Sequence, residues 1–441
     1  MNARPTFRDR SGQTSADPLT LAGPAPAVDL AALALLLAPP SMLGEFVPRS
    51  PWKGLDRIPA ERPRLAPGRP LAESFGHAVE TLTADADVIG VMVSGGLDSL
   101  AVLVHVMRIA KGRQVVAITA DLRDDTGASA SATVRRLLAD LNLPVHSIVL
   151  DPDHHRREPV WSPAGPRLDA MPEVNAAAAE VASSLGVQVL LSGDGADETL
   201  GVPRFATAQI AARHGARAAA RYAADVARSG PGLAGEAAAT AARLAPRELS
   251  AQAYWALNWP AWCDPVAPAV LAEPYRRAAT AWAREWVQDR LAAHAETGRS
   301  WAQADAHDAA FPHEAIPPAG AVPESSPFLH ETFLAASLAL PVADRYDPRL
   351  PSAYLRCKAQ VVGLLPTRMH RVLPRHKQYF AAALKHQSAT GRTAPACVRA
   401  GLLDPIALAA ETDPAVLLVV AALERWLAAA GNLTATIQAL P

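Results

Sequence analysis

The sequence predicts an α/β fold, with a twisted parallel sheet flanked by helices on both sides and a mostly helical C-terminal part. Three observations carry this. Four short apolar runs rich in β-branched residues alternate with segments of helical spacing between residues 71 and 191. Two glycine-rich turns directly follow two of those runs. From Arg204 onward the chain is rich in Ala, Arg and Leu at helical spacing.

Taken in order, Leu71 to Asp85 has helical spacing, and Val88 to Val93 is wholly apolar, as a strand buried on both faces requires. Ser94 to Ser99 is a turn, and Leu100 to Ala110 a helix stopped by Lys111-Gly112. Val115 to Thr119 reads as the second strand, Ala128 to Leu141 as a helix, Val145 to Leu150 as the third strand, Val174 to Leu185 as a helix and Val187 to Leu191 as the fourth strand. Helices are expected over Phe205 to Arg228, Ala234 to Leu244, Arg276 to His294, Thr332 to Leu340 and Pro414 to Ala430. Three divisions follow: a Pro-rich N-terminal segment (1–70) with one short helix over Val28 to Leu37, a main domain (71–400) and a helical tail (401–441).

Composition excludes several function classes. A net charge of −1 over 441 residues offers no broad basic surface for nucleic acid. Cys263, Cys357 and Cys397 have neither metal-ligand nor disulfide spacing, as expected for a cytoplasmic protein. No signal architecture opens the chain, and the apolar run Ala31 to Ala38 is too short to span a bilayer. Only five lysines occur (Lys53, Lys111, Lys358, Lys377, Lys385) among 42 basic residues, so a retained lysine is more noteworthy than usual.

The first glycine turn, Ser94-Gly95-Gly96-Leu97-Asp98-Ser99, stands between a buried strand and a helix. Its backbone N–H groups and the helix N-terminus together form an anion cradle. Asp98 would repel a bare phosphate, which suggests a bridging Mg²⁺. A terminal Gly-Lys-Ser/Thr is absent, which disfavours γ-phosphate chemistry. The second turn, Ser192-Gly193-Asp194-Gly195-Ala196-Asp197-Glu198, crowds carboxylates at the carboxyl end of the fourth strand, where a cation or a lysine is their natural partner.

The first turn resembles the pyrophosphate loop (PP-loop) of the N-type ATP pyrophosphatases, which have an adenine nucleotide α-hydrolase-like domain. The second resembles a signature of the asparagine synthetase branch. Ser326-Pro327-Phe328-Leu329-His330 is similar to that family's Pro-Phe-Leu-Asp stretch, with His for Asp. Leu365-Pro366 and Arg375-His376-Lys377-Gln378-Tyr379-Phe380 resemble its closing pattern, and Trp52-Lys53-Gly54-Leu55 resembles the segment joining its two halves. The resemblance covers roughly residues 50 to 385.

It implies a ligase that splits ATP to AMP and pyrophosphate, with ATP and Mg²⁺ required. Ser94, Gly95, Gly96 and Ser99 would hold phosphates, and Met92, Ala120 and Gly193 would line the adenosine pocket. Asp98 and Asp197 would bind Mg²⁺, Lys377 would be catalytic, and Asp194 would face the metal and position Lys377. Partners would be a small-molecule or peptide carboxylate and an amine or ammonia donor, the latter supplied in some cases by another protein, with no nucleic acid or membrane involved.

Asn2 stands where glutamine-using relatives carry a nucleophilic cysteine, and about 70 residues precede the sheet, so no complete glutaminase domain is expected. The altered segment Ala304 to Glu314 and His330 fall where the family contacts its acid, which puts aspartate in doubt. The expectation is a specialised amide synthase, like the β-lactam synthetase and lasso-peptide macrolactam cyclase relatives. The alternatives are an ammonia-dependent asparagine synthetase and a non-catalytic nucleotide-binding subunit. His307, His313 and His330 are candidate acid–base groups. Asp151, Asp153, His154 and His155 form a loop in which a metal site is a minor alternative.

Overall fold

A computed structural model of the protein describes residues 6–23, 26–42, 44–59, 69–227, 231–310, 317–431 and the backbone of 436–438. The central sheet contains β1 (Val88–Met92), β2 (Gln114–Ala120), β3 (His146–Leu150), β4 (Val189–Leu191) and β5 (Glu324–Ser325). All are parallel, in the order β3-β2-β1-β4-β5. Gly90 pairs with Val116 on one side and Leu190 on the other. A Cβ at Gly90 would fall 2.8 Å from the Leu190 side chain, so a glycine lets the two central strands approach.

The helices α1 (Leu71–Leu82), α2 (Leu97–Ile109), α3 (Ala130–Asp140) and α4 (Pro172–Ser184) follow the expected segments. Alternation along β2 sorts its residues between two cores. Val115 and Ala117 pack with Phe75, Leu100 and Val134 from α1, α2 and α3. Val116 and Ile118 pack with Ala178 and Ala182 of α4 on the opposite face. The chain runs outward from β1 through β2 to β3, then returns to the other side of β1 for β4. The crevice where strand order reverses therefore lies between the loops after β1 and β4, which are the two glycine turns.

Other elements depart from expectation. The single helix expected over Phe205 to Arg228 is two helices, Thr207–His214 and Ala216–Val226, broken at Gly215 (φ +86°). Arg228 lies outside the described residues. The short helix expected over Val28 to Leu37 begins as a strand, Ala27–Asp29, and becomes helical at Leu30–Leu35, where the Asp29 carboxylate caps Ala32 N–H at 3.1 Å. β5 is two residues long, too short to leave a periodic signal, and is anchored by Arg167, whose Nη2 donates to Glu324 at 2.9 Å.

The N- and C-terminal segments share one core. Leu30, Leu33 and Trp52 pack with Val416, Leu423 and Trp426 of the helix Pro414–Gly431. That helix is long and apolar enough to cross a membrane, but it spends its apolar face in this core. Trp52 is fully buried; its indole N–H donates to Pro163 at 2.7 Å, and its ring meets Trp161 and Trp426 edge-on at 6.4 and 5.5 Å. A further core, mostly helical, gathers Phe205, Tyr222, Tyr254, Trp255 and Trp301.

Candidate nucleotide-binding active site

The first turn leaves β1 at Met92 and enters α2 through Gly95 and Gly96. Gly95 has φ +85°, and a Cβ there would meet Gln378 Oε1 and Thr133 Cγ2, both at 3.1 Å. The turn is thus held under the 375–380 segment. Gly96 is the N-cap of α2 and offers no side chain to its first-turn N–H groups, so these remain available to an anion. Ser99 Oγ accepts from Ser94 N–H and lies 3.2 Å from Ser94 Oγ, which fixes both hydroxyls at the rim.

The second turn packs onto the first, backbone against backbone. A Cβ on Gly193 would lie 2.7 Å from Ser99 N and 2.9 Å from Asp98 C, so only glycine fits. Gly195 has φ +82° and lies against the Leu329 side chain, and Ser326 Oγ donates to the Asp194 carbonyl at 2.6 Å. The Ser326-Pro327-Phe328-Leu329 motif is therefore the platform beneath the second turn.

The carboxylates of the two turns meet on a lysine that the sequence reading did not single out. Lys358 Nζ donates to both oxygens of Asp98, at 2.8 and 2.9 Å, and lies 2.6 Å from Asp197 Oδ1. Its side chain is only 5% exposed, against 45% for Lys377, which pairs with Asp197 Oδ2 at 3.0 Å. Burial raises the Asp98 carboxyl pKa against the pull of Lys358. At Asp197 burial acts the same way, but Lys358 and Lys377 outweigh it and hold the carboxyl below its ordinary value. Lysine scarcity was the one available signal for Lys358.

The expected site residues converge at the carboxyl end of the sheet. Met92 and Ala120 end the neighbouring strands β1 and β2. Ser94, Gly95, Gly96, Asp98, Ser99, Gly193 and Asp197 line the two facing turns, and Lys377 reaches Asp197. Lys377 pairs with Asp197 at 3.0 Å, and the Asp194 carboxylate accepts from Ser192 Oγ at 2.8 Å.

The histidines fall elsewhere. His330 is the N-cap of the helix Glu331–Leu338, its Nδ1 2.9 Å from Thr332 Oγ1. Aspartate is also a preferred N-cap, so His330 takes over a structural task. His307 lies 3.6 Å from Asp308, in the helical core rather than at the two turns. His313 lies outside the described residues. His154 pairs with Asp151 at 2.7 Å in an exposed loop, and among the described residues no group of three or more His, Cys, Asp or Glu is placed to hold a metal by protein ligands alone.

No curated protein matches the chain. The family model described as asparagine synthase matches residues 70–431, which include both turns, Lys358 and Lys377. With the parallel sheet and the paired turns at its switch point, this match shows that the chain belongs to the asparagine synthase family, a family of ATP-dependent, amide-forming synthetases.

Proposed function

We propose that the protein activates a carboxylate as an acyl-adenylate, releasing pyrophosphate, and that an amine then displaces AMP to form an amide. The observation that carries this is the meeting of Asp98 and Asp197 on Lys358 beside the uncapped start of α2, with Lys377 on the solvent side. The two lysines roughly balance the two carboxylates, so a triphosphate arriving here needs further positive charge. The helix N-terminus supplies about half an elementary charge. Two carboxylates facing an anion cradle also fit Mg²⁺, which is commonly held by one or two carboxylates together with substrate phosphates. Asp98 and Asp197 would hold the ion, whose chemistry is neutralisation of the leaving pyrophosphate.

Ser94, Ser99 and the N–H groups of the first turn bind phosphate oxygens, and Met92, Ala120 and Gly193 border the adenosine. Lys377, exposed, paired with Asp197 and lying over the Tyr379 ring, neutralises charge as the carboxylate attacks the α-phosphorus. The carboxylate oxygen bonds to phosphorus as the bond to the β-phosphate bridging oxygen breaks. The amine nitrogen then bonds to the acyl carbon, AMP leaves, and the amine loses its proton. The acid is a peptide or amino-acid derivative rather than aspartate, and a macrolactam or an intermolecular amide is the product.

The test is acid-dependent exchange of labelled pyrophosphate into ATP. Lys377→Ala should lower exchange by about 10²- to 10³-fold, the loss typical of one transition-state donor, with ATP binding retained. Release of ADP and phosphate, or equal exchange in the variant, would overturn the reading.

A further inference from the structure

A cavity of about 630 Å³ opens beside the second glycine turn. By volume it equals roughly 20 water molecules at about 30 Å³ each, far more than an aspartate fills, and it lies within the range of about 300 to 1,000 Å³ typical of drug-sized ligands. Its far wall comes from the N-terminal segment, which the family match at 70–431 does not cover, and the helix Pro414–Gly431 closes it. The walls are largely apolar, with Leu36 and Leu418 from the two terminal segments and Trp255, Trp259 and Trp286 from the helical core.

The charged groups in the walls are mostly paired with one another. Arg204 grips Asp305 at 2.9 Å and lies over the Trp259 ring. Arg290 joins Glu45 and lies over Trp286. Asp169 is held by Arg167, and Asp308 by His294 at 3.0 Å. Among the described residues, Glu198 is the one lining carboxylate with no salt-bridge partner, and it follows Asp197 directly in the second turn. Arg49 and Arg57 also line the walls; with a carboxylate outside any salt bridge at its catalytic end, the vestibule suits a ligand that presents an ammonium there and apolar or aromatic groups behind it.

We infer that this chamber receives the body of the acid substrate, a peptide-sized carboxylic acid carrying aromatic or aliphatic side chains, and that Glu198 binds the substrate's free amine. The inference rests on the acyl-adenylate reading for its chemistry but not for its location. Acid and amine in one peptide would place the nucleophile beside the carboxylate being activated.

Calorimetric titration of the full chain, with Mg²⁺ and α,β-methylene-ATP present, tests it. The probes are a panel of hexapeptide acids containing two phenylalanines, in free-amine and N-acetylated forms, with aspartate for comparison. A free-amine hexapeptide should bind more tightly than aspartate. Leu36→Trp and Leu418→Trp, which fill the chamber from two lining segments far apart in sequence, should each weaken it at least tenfold while leaving nucleotide-analogue binding unchanged, which also reports that each variant is folded. Acetylation should weaken binding to the unaltered chain several-fold and make no difference in Glu198→Gln. The inference is overturned if no hexapeptide binds, if both tryptophan variants bind as the unaltered chain does, or if acetylation is without effect. Peptide binding without pyrophosphate exchange would sink the acyl-adenylate reading and leave the chamber standing. Exchange that ignores both tryptophans would do the reverse.

Discussion

The nucleotide turns and the neighbouring chamber are built in opposite ways. Each turn is a few consecutive residues between a strand and a helix, and its chemistry depends on backbone N–H groups and glycines, which sequence displays directly. The chamber has no consecutive element. Leu36, Glu198, Trp255, Trp286 and Leu418 come from five separated segments and meet only because three hydrophobic cores abut. The turns depend on backbone geometry, which any residue pattern with glycines at these positions can supply, and both lie inside the matched region. The chamber is free to differ because side chains shape it, and part of its wall lies outside the matched region.

This contrast can be tested at the joint between the turns. Lys358→Met leaves Asp98 and Asp197 facing one another without their shared cation. We expect a loss of about 4 kcal/mol, as when one partner of a buried ion pair is removed, measured by urea unfolding. An unchanged midpoint would show that the turns hold together without Lys358.

Next in size is an acid effect behind the first turn. His105, on α2, is buried against the Phe75 ring, and burial lowers its pKa from 6.5 to about 4. The fold keeps it neutral while the unfolded chain takes up a proton at higher pH. Its contribution is therefore complete above about pH 6.5 and is lost as pH falls toward 4, by about 3 kcal/mol at 1.36 kcal/mol per unit. Unfolding curves at pH 7 and pH 4.5 check this, and His105→Leu should flatten the difference.

Gly193→Ala sharpens the comparison further. The added methyl meets Ser99 N and should cost about 2 kcal/mol of stability by overpacking, and by pushing the first turn out of place it should weaken ATP binding. Hexapeptide binding in the chamber should hold; a parallel loss would mean the two regions are not independent. The smallest effect is expected at His330. His330→Ala should lose about 1 kcal/mol of stability and His330→Asp should lose little, because either residue can cap the helix. A large loss of pyrophosphate exchange in His330→Asp with stability intact would restore an acid–base role.

The sequence was most legible where physics is local. Val88 to Val93 and Val115 to Thr119 announced strands because short β-branched runs bounded by turns leave few alternatives, and the glycines of Ser94–Ser99 and Ser192–Glu198 announced turns. Lys358 was missed because it stands 260 positions from Asp98 in a stretch without a motif. A motif read as a string likewise does not tell which of two acids, one turn apart, takes the lysine: Lys377 pairs with Asp197, and Asp194 with Ser192.

The amino-acid sequence by itself determined the parallel sheet and the two glycine turns at its carboxyl end, since hydrophobic periodicity and glycine placement act over a few residues. Only tertiary structure decided that Lys358 joins the two turns, that His330 serves as a helix cap, and that termini 400 residues apart close one wall of a chamber. Those outcomes depend on which distant surfaces bury one another, and the free energy of that burial is non-directional and leaves no pattern in any one segment.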